Sequence, residues 1–375
     1  MASLFNIQSN LREAARALPD KPVAMPYDMR NEVSWIDFTN HTNPLGTPKP
    51  IVQEIHTALV DGEHCYVPDH DGRSFRHSIG NYLGLAAENI LLGTSVSQLI
   101  TYASCAFDYT TVGVSEPCPL SYETAIGNAG HSILPLQNPI SFAPVDAHHA
   151  FQQGNFKGMV LGNPTYPTSR LIPKPQLKQY LESLDWLIVD ESNIELTIGG
   201  ESAVGLVESY PNLIVVRSAS TTYGMPGIPI CYMVAHHEMI SHIEQFYAGS
   251  DIGMFGEVLA YQLVSQNIYL DETHDFLENE IPWMQCHLSL LPGVNIFPAE
   301  ANFVLCEYNP SPEMELGVGS VQELVTSLQL AGFLVDDLHD TLGLPHNNFF
   351  CVAVRLREEN ERLLSAMRSI IKSFD

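Results

Sequence analysis

Val215-Val216-Arg217-Ser218-Ala219-Ser220-Thr221-Thr222-Tyr223-Gly224-Met225-Pro226-Gly227-Ile228-Pro229-Ile230-Cys231-Tyr232 is the stretch on which the fold turns. It closes one apolar run, Leu213–Val216, and opens another, Cys231–Val234. Between them lie hydroxyl residues and a turn rich in glycine and proline, with no lysine. Short continuous runs of Val, Ile and Leu suit strands covered on both faces.

Upstream the same kind of run recurs at Asn89–Leu92, Val112–Ser115, Ile133–Leu136, Met159–Gly162 and Trp186–Val189. Helical patterns such as Pro175–Ser183 separate many of them. Alternation of this kind predicts an α/β layered domain with a mostly parallel sheet. Downstream the pattern changes. Helices are expected at His237–Ala248, Gly256–Gln266 and Glu272–Leu291, the last with Pro282 inside it. Strands are expected at Val294–Phe297, Asn302–Glu307, Phe333–Leu338 and Phe349–Arg355, with helices at Gln322–Leu330 and Glu358–Ser373. This predicts three parts: an N-terminal arm over 1–34 carrying the short helix Leu11–Leu18, a large α/β domain over 35–237, and a smaller α+β domain over 238–375.

The chain has 375 residues, 45% of them hydrophobic and 16% charged, enough apolar material for a large core. Its net charge of −26 argues against nucleic acid or an anionic membrane surface as a partner. Seven cysteines with no CxxC pair read as reduced core thiols, and Cys118 reads first as a packed thiol and second as a nucleophile. No signal-like or membrane-length apolar run is present, so a cytoplasmic location is expected. The histidines do not cluster at ligand spacing, and no metal site is expected.

Several motifs stand in collinear order: Asn40-His41-Thr42-Asn43-Pro44-Leu45-Gly46, Tyr66-Val67-Pro68-Asp69, Asp190-Glu191, Ser218, and Val352-Ala353-Val354-Arg355 followed by Glu359-Asn360. With the stretch quoted above they resemble fold-type-I pyridoxal-phosphate (PLP) enzymes, the aminotransferase class I/II family. The histidinol-phosphate aminotransferase and threonine-phosphate decarboxylase branch is the nearest. The resemblance runs from about Trp35 to the C-terminus. It implies the aminotransferase-like fold, with a mostly parallel central sheet in the large domain and a smaller α+β domain, and a homodimer. It also implies roles. Asn43 lines the substrate pocket, Tyr66 reaches the cofactor phosphate of a neighbouring subunit, and Asp190 faces the pyridine nitrogen. Ser218 contacts the phosphate, and Arg355 grips a substrate carboxylate.

The departures fall on the cofactor side. By the resemblance, Thr221 stands where the Schiff-base lysine is expected and Pro229 where an arginine clamps the phosphate. Tyr166 replaces an asparagine that bonds the ring oxygen. Pro119, with Tyr122 close behind, replaces the stacking aromatic, and Asp336 replaces an anion-binding arginine. Threonine can neither hold the aldehyde as an imine nor act as its general base. Loss of the arginine and asparagine contacts costs on the order of 3–6 kcal/mol of cofactor binding. The six lysines are Lys21, Lys49, Lys157, Lys174, Lys178 and Lys372, and Lys157 and Lys21 stay open as displaced substitutes.

These features predict a repurposed enzyme acting on a small amino- or carboxylate-bearing metabolite, with no covalent PLP. PLP or pyridoxamine phosphate would bind non-covalently or not at all. Asp190, Tyr166 and Thr221 are the candidate catalytic residues, and Arg355, Asn43 and Tyr122 the candidate substrate contacts. Thr94, Ser95, Ser218 and Tyr66 form the candidate anion or cofactor contacts. Thr94 and Ser95 have helix capping as the alternative. For Arg355 the alternative is a structural salt bridge, and for Asp190 a relic held by backbone N–H groups. Two other functions compete: an inactive partner subunit, paired with an active paralogue, or ligand-binding regulator, and conventional PLP catalysis through a displaced lysine.

Overall fold

A computed structural model describes residues 35–372 except 70, 138–141, 248, 250–251, 264–266, 311–316 and 339–340. The expected arm, its helix Leu11–Leu18 and Lys21 lie outside the described residues.

The strands in chain order are β1 (Ile36–Asp37), β2 (Ile90–Gly93), β3 (Thr111–Glu116), β4 (Ser132–Gln137), β5 (Gly158–Gly162) and β6 (Trp186–Asp190). They continue with β7 (Leu213–Ser218), β8 (Cys231–Ala235), β9 (Val294–Ile296), β10 (Phe303–Tyr308), β11 (Phe333–Leu334) and β12 (Phe349–Ala353). Seven form one sheet in the order β2-β8-β7-β6-β5-β3-β4. Only β8 runs against the others, pairing antiparallel with β7 and β2.

The continuous apolar runs are explained by burial on both faces. Leu187, Val189, Leu213 and Val215 enter one core cluster. Their neighbours Trp186, Ile188, Ile214 and Val216 enter another on the opposite face. Strand alternation then places Asp190 and Ser218 on the face of Ile188 and Val216, and Glu191 and Arg217 on the other.

The C-terminal part has its own core. It holds the antiparallel sheet β12-β10-β9, and β1 pairs parallel with β11. The segment expected to open the large domain therefore begins against the C-terminal unit, where Ile36 and Phe38 are buried. The 22-residue helix Asn267–Leu288 keeps Pro282 inside it and starts earlier than its pattern suggested.

Two strands are shorter than expected, for local reasons. After Leu334 the chain makes only an isolated bridge, Asp336 to Cys351. After Ala353 the Arg355 N–H turns to the Asn360 side chain (3.0 Å) as the chain enters the helix Arg357–Lys372.

Four cysteines are buried, but Cys65 and Cys286 are exposed, which corrects the expectation of core thiols throughout. Among the described residues no helix is long and apolar enough to cross a membrane, and no group of three potential ligands could hold a metal.

Candidate active site

Asp190 ends β6 as a carboxylate that is 8% exposed. The first turn of the helix Leu120–Asn128 brings the Tyr122 hydroxyl to donate to its Oδ2 at 2.6 Å. The Ser192 N–H donates to Oδ1 at 2.9 Å. Burial raises the Asp190 carboxyl above its usual range, and these donors oppose that shift. Burial, then the charge of Asp190, pushes the Tyr122 phenol well above its ordinary value, so it remains a neutral donor. Tyr122 is thus an orienting partner of Asp190, buried to 3% exposure, where a substrate contact was expected.

Thr221 lies in the one-turn helix Ala219–Thr222 that follows β7. Its hydroxyl donates to Ser218 Oγ at 2.9 Å, and its N–H bonds the same oxygen at 3.1 Å. The Cys231 thiol, within hydrogen-bonding reach of Ser218 and the Val96 N–H, is pushed up to about 12 by burial. The next loop shows the capping alternative. Ser95 Oγ accepts the Gln98 N–H at 3.1 Å, and the Gln98 side chain accepts the Thr94 N–H at 2.9 Å and its hydroxyl at 3.1 Å. Tyr66 is 71% exposed and stands apart from this group.

Asn43 is wholly engaged. Its Nδ2 donates to the Thr222 carbonyl (3.0 Å) and to Thr273 Oγ1 (2.9 Å), and its Oδ1 accepts the Leu45 N–H (3.0 Å). Its N–H reaches the Thr221 carbonyl at 3.0 Å. It therefore clamps its loop to the segment after β7.

A second cluster includes His41, two residues before Asn43. Tyr166, on the loop after β5, packs against His41 (5.1 Å between ring centres) and Phe303 (5.5 Å). Its hydroxyl donates to Asp336 Oδ2 at 2.5 Å. The Cys351 thiol faces His41 Nε2 at 3.9 Å. Burial lowers the His41 imidazole to about 4, although Asp336 and Asp37 pull the other way, so it is neutral at neutral pH. Burial pushes Cys351 well above the ordinary thiol value, which leaves it a poor nucleophile. The same holds for Cys118, where burial is the leading cause.

Arg355 does not converge on these clusters. Glu359 grips it through Nε (3.0 Å) and Nη2 (3.2 Å), the Asp37 carbonyl accepts from Nη1 (3.1 Å), and Phe38 lies under it. In this structure Arg355 and Glu359 form an i,i+4 salt bridge. On β12 it is Cys351 that points at Tyr166 and His41. Nothing in the apolar run Phe349–Val354 distinguished Cys351 from an ordinary core thiol. His41 sat inside a quoted motif but had no partner visible in sequence.

The clusters fit a pyridoxal-type group at one end only. Asp190 is an oriented, buried carboxylate suited to a ring nitrogen. Buried Asn163, whose N–H bonds the Asp190 carbonyl at 2.8 Å, keeps its Nδ2 without an acceptor. No amine stands beside them among the described residues. Lys49 and Lys178 are exposed, and Lys372 is exposed on the last helix. Lys174 pairs with Glu201. Lys157 precedes β5, at the end of the sheet opposite Asp190, and pairs with Asp185. That position removes Lys157 as a displaced substitute.

The sequence model described as "Aminotransferase class I and II" matches residues 33–339. A "Putative threonine-phosphate decarboxylase" of Caldanaerobacter subterraneus subsp. tengcongensis is 27% identical over 339 residues, covering 88% of this chain and 89% of the relative. A histidinol-phosphate aminotransferase structure from Clostridium acetobutylicum superposes with TM-score 0.78 at 24% identity, over 89% of this chain and 98% of that one. One from Sinorhizobium meliloti, solved in complex with pyridoxal-5'-phosphate, gives 0.78 at 16% identity, over 94% and 95%.

Proposed function

The chain belongs to the aminotransferase class I and II family, and from that premise we propose an enzyme acting on a small amino- or carboxylate-bearing metabolite without a covalent lysine imine. The observation that carries this reading is the segment after β7. There Thr221 turns its hydroxyl to Ser218, and each described lysine lies at the surface or in a surface ion pair.

Pyridoxal or pyridoxamine phosphate, held non-covalently, would supply an electron sink. Asp190 would hold its ring nitrogen, with Ser218 and Asn163 as further polar contacts. The chain's own residues orient and hold protons. Tyr122 keeps its proton and fixes the Asp190 carboxylate. Tyr166 keeps its proton on the side of Asp336, within the aromatic cluster of His41 and Phe303. Arg355, paired with Glu359 here, would have to exchange that partner to take a substrate carboxylate.

Two copies of the chain are proposed to associate. The support is a run of exposed apolar side chains on and after the helix Lys49–Val60: Val52, Leu59, Val60, Tyr66 and Val67.

The deciding experiment mixes purified protein with pyridoxal 5'-phosphate and records visible absorbance before and after borohydride, followed by mass spectrometry. The expected result is no reducible imine and no mass increment. A borohydride-fixed adduct on any lysine would overturn the reading in favour of a displaced Schiff base.

A further inference from the structure

The carboxyl edge of the large sheet holds a cavity of about 230 Å³. Cavities of roughly 150 Å³ take a benzene ring, so this one has room for a ligand of about six heavy atoms or more. Its polar side is Glu116, the last residue of β3, with Gln137, the last of β4 and its partner in register. Pro117, Phe142, Leu344 and Pro345 supply apolar walls, and the exposed Gln137 forms part of the rim.

The sheet reverses its direction of growth at β3. Strand β4 lies on one side of it, and β5, β6 and β7 follow on the other. Sheets of this kind take ligands outside the carboxyl ends of the strands at such a reversal. Glu116 shares the parity of Val112 and Val114, which puts it on the sheet face of Asp190. Two strand spacings, roughly 10 Å, separate the two carboxylates.

Glu116 is 9% exposed and underfilled. Gln137 Nε2 donates to its Oε2 at 2.8 Å. Gly343 closes on the same oxygen, where an added Cβ would stand 2.8 Å from it. Among the described residues Oε1 has no donor and the carboxylate has no ion-pair partner. A carboxylate offers about four acceptor positions, and burying one without a counter-charge is costly. The surroundings have the same sign. Burial, then the charge of Glu116, raises the Glu123 carboxyl.

We propose that this cavity binds a small alkyl ammonium, its N–H donors on Glu116 and its hydrocarbon stem against Pro117, Phe142, Leu344 and Pro345. An ammonium has three donors and no acceptor, the complement of a carboxylate left with one donor. A carboxylate or phosphate ligand would meet Glu116 and Glu123 with no described cation to hold it. A bare metal ion would find one carboxylate and leave the apolar walls uncovered. The site is separate from the Asp190 cluster and independent of the function proposed above.

Pentylamine, 1-pentanol and pentanoate share one stem and end in a cation, a neutral hydroxyl and an anion at neutral pH. Calorimetric titration of the full chain, with no pyridoxal compound present, should show one saturable site for pentylamine. Pentanol should bind at least about tenfold more weakly, the scale of one hydrogen bond to a charged group, and pentanoate more weakly still. The net charge of −26 attracts any amine diffusely, so a variant at the cavity decides. Glu116→Gln keeps the shape and an acceptor for Gln137, and should bring pentylamine to the level of pentanol. If Glu116→Gln does not fold, Leu344→Trp at the half-buried opposite wall should abolish the saturable site by filling it.

No saturable binding of pentylamine overturns the proposal. So does binding of pentanol or pentanoate as tight as that of pentylamine, or a preference that survives Glu116→Gln. Where that variant fails, pentylamine binding unchanged in Leu344→Trp overturns it. An imine with pyridoxal 5'-phosphate would overturn the function proposed above and leave this cofactor-free site standing.

Discussion

Asp190 carries a charge where burial opposes it. Its folded pKa is raised above 3.8, so between 3.8 and that raised value the folded chain holds a proton that the unfolded chain has released. Stability from this group is complete below 3.8 and is lost as pH rises through the raised folded value. Asp190→Asn keeps an acceptor for the Tyr122 hydroxyl and removes the titration. Thermal midpoints across that range should move in favour of the Asn variant as pH rises. A gap between the two proteins that is flat in pH would show that the carboxyl is not raised. At this scale the sequence was legible in part. Asp190 at a strand end could be read from its apolar run, because the run's period sets the strand and its end. Its partner Tyr122 lies 68 residues away and could not. Arg355 shows the converse: its charge was visible, but its capture by Glu359 depends on where the last strand stops and the helix begins.

The loop Asn43–Gly46 and the turn after β7 are held together at one close approach. Gly224 has φ +59°, and a Cβ there would meet Gly46 Cα at 2.9 Å and its carbonyl carbon at 2.8 Å. The clamp by Asn43 sits on the same contact. Gly224→Ala therefore demands a left-handed alanine and pushes the loop from Thr221 and Thr222. We expect a loss of roughly 1–3 kcal/mol or more in denaturant unfolding. Unchanged stability would mean that the two segments are not tied. The elements themselves were largely readable. Strands β2, β3 and β5 to β8 overlap the apolar runs because strands buried on both faces have no polar interruptions, and the edge strand β4 overlaps its run although it is part-exposed. The β12 boundary shifted because a side chain, Asn360, and not a period ends the element.

For the whole molecule, the exposed apolar side chains from Val52 to Val67 are the surface that a second copy would cover. Val60→Asp combined with Val67→Asp should shift the chain toward monomer in light scattering. Both residues are exposed (71% and 93%), so little change in monomer stability is expected. An unchanged mass would place any self-association elsewhere. The amino-acid order by itself determined the layered α/β plan and the strong negative charge. It also placed threonine, where the family resemblance leads one to expect lysine, just after β7. Apolar periodicity and residue identity are local properties that survive without a partner. Only the tertiary structure decided which distant groups meet: Tyr122 on Asp190, Asn43 on Thr273, and Cys351, His41 and Asp336 around Tyr166. Those meetings are set by sheet order and loop packing, mostly between residues tens to hundreds of positions apart, and no local pattern in the chain encodes them.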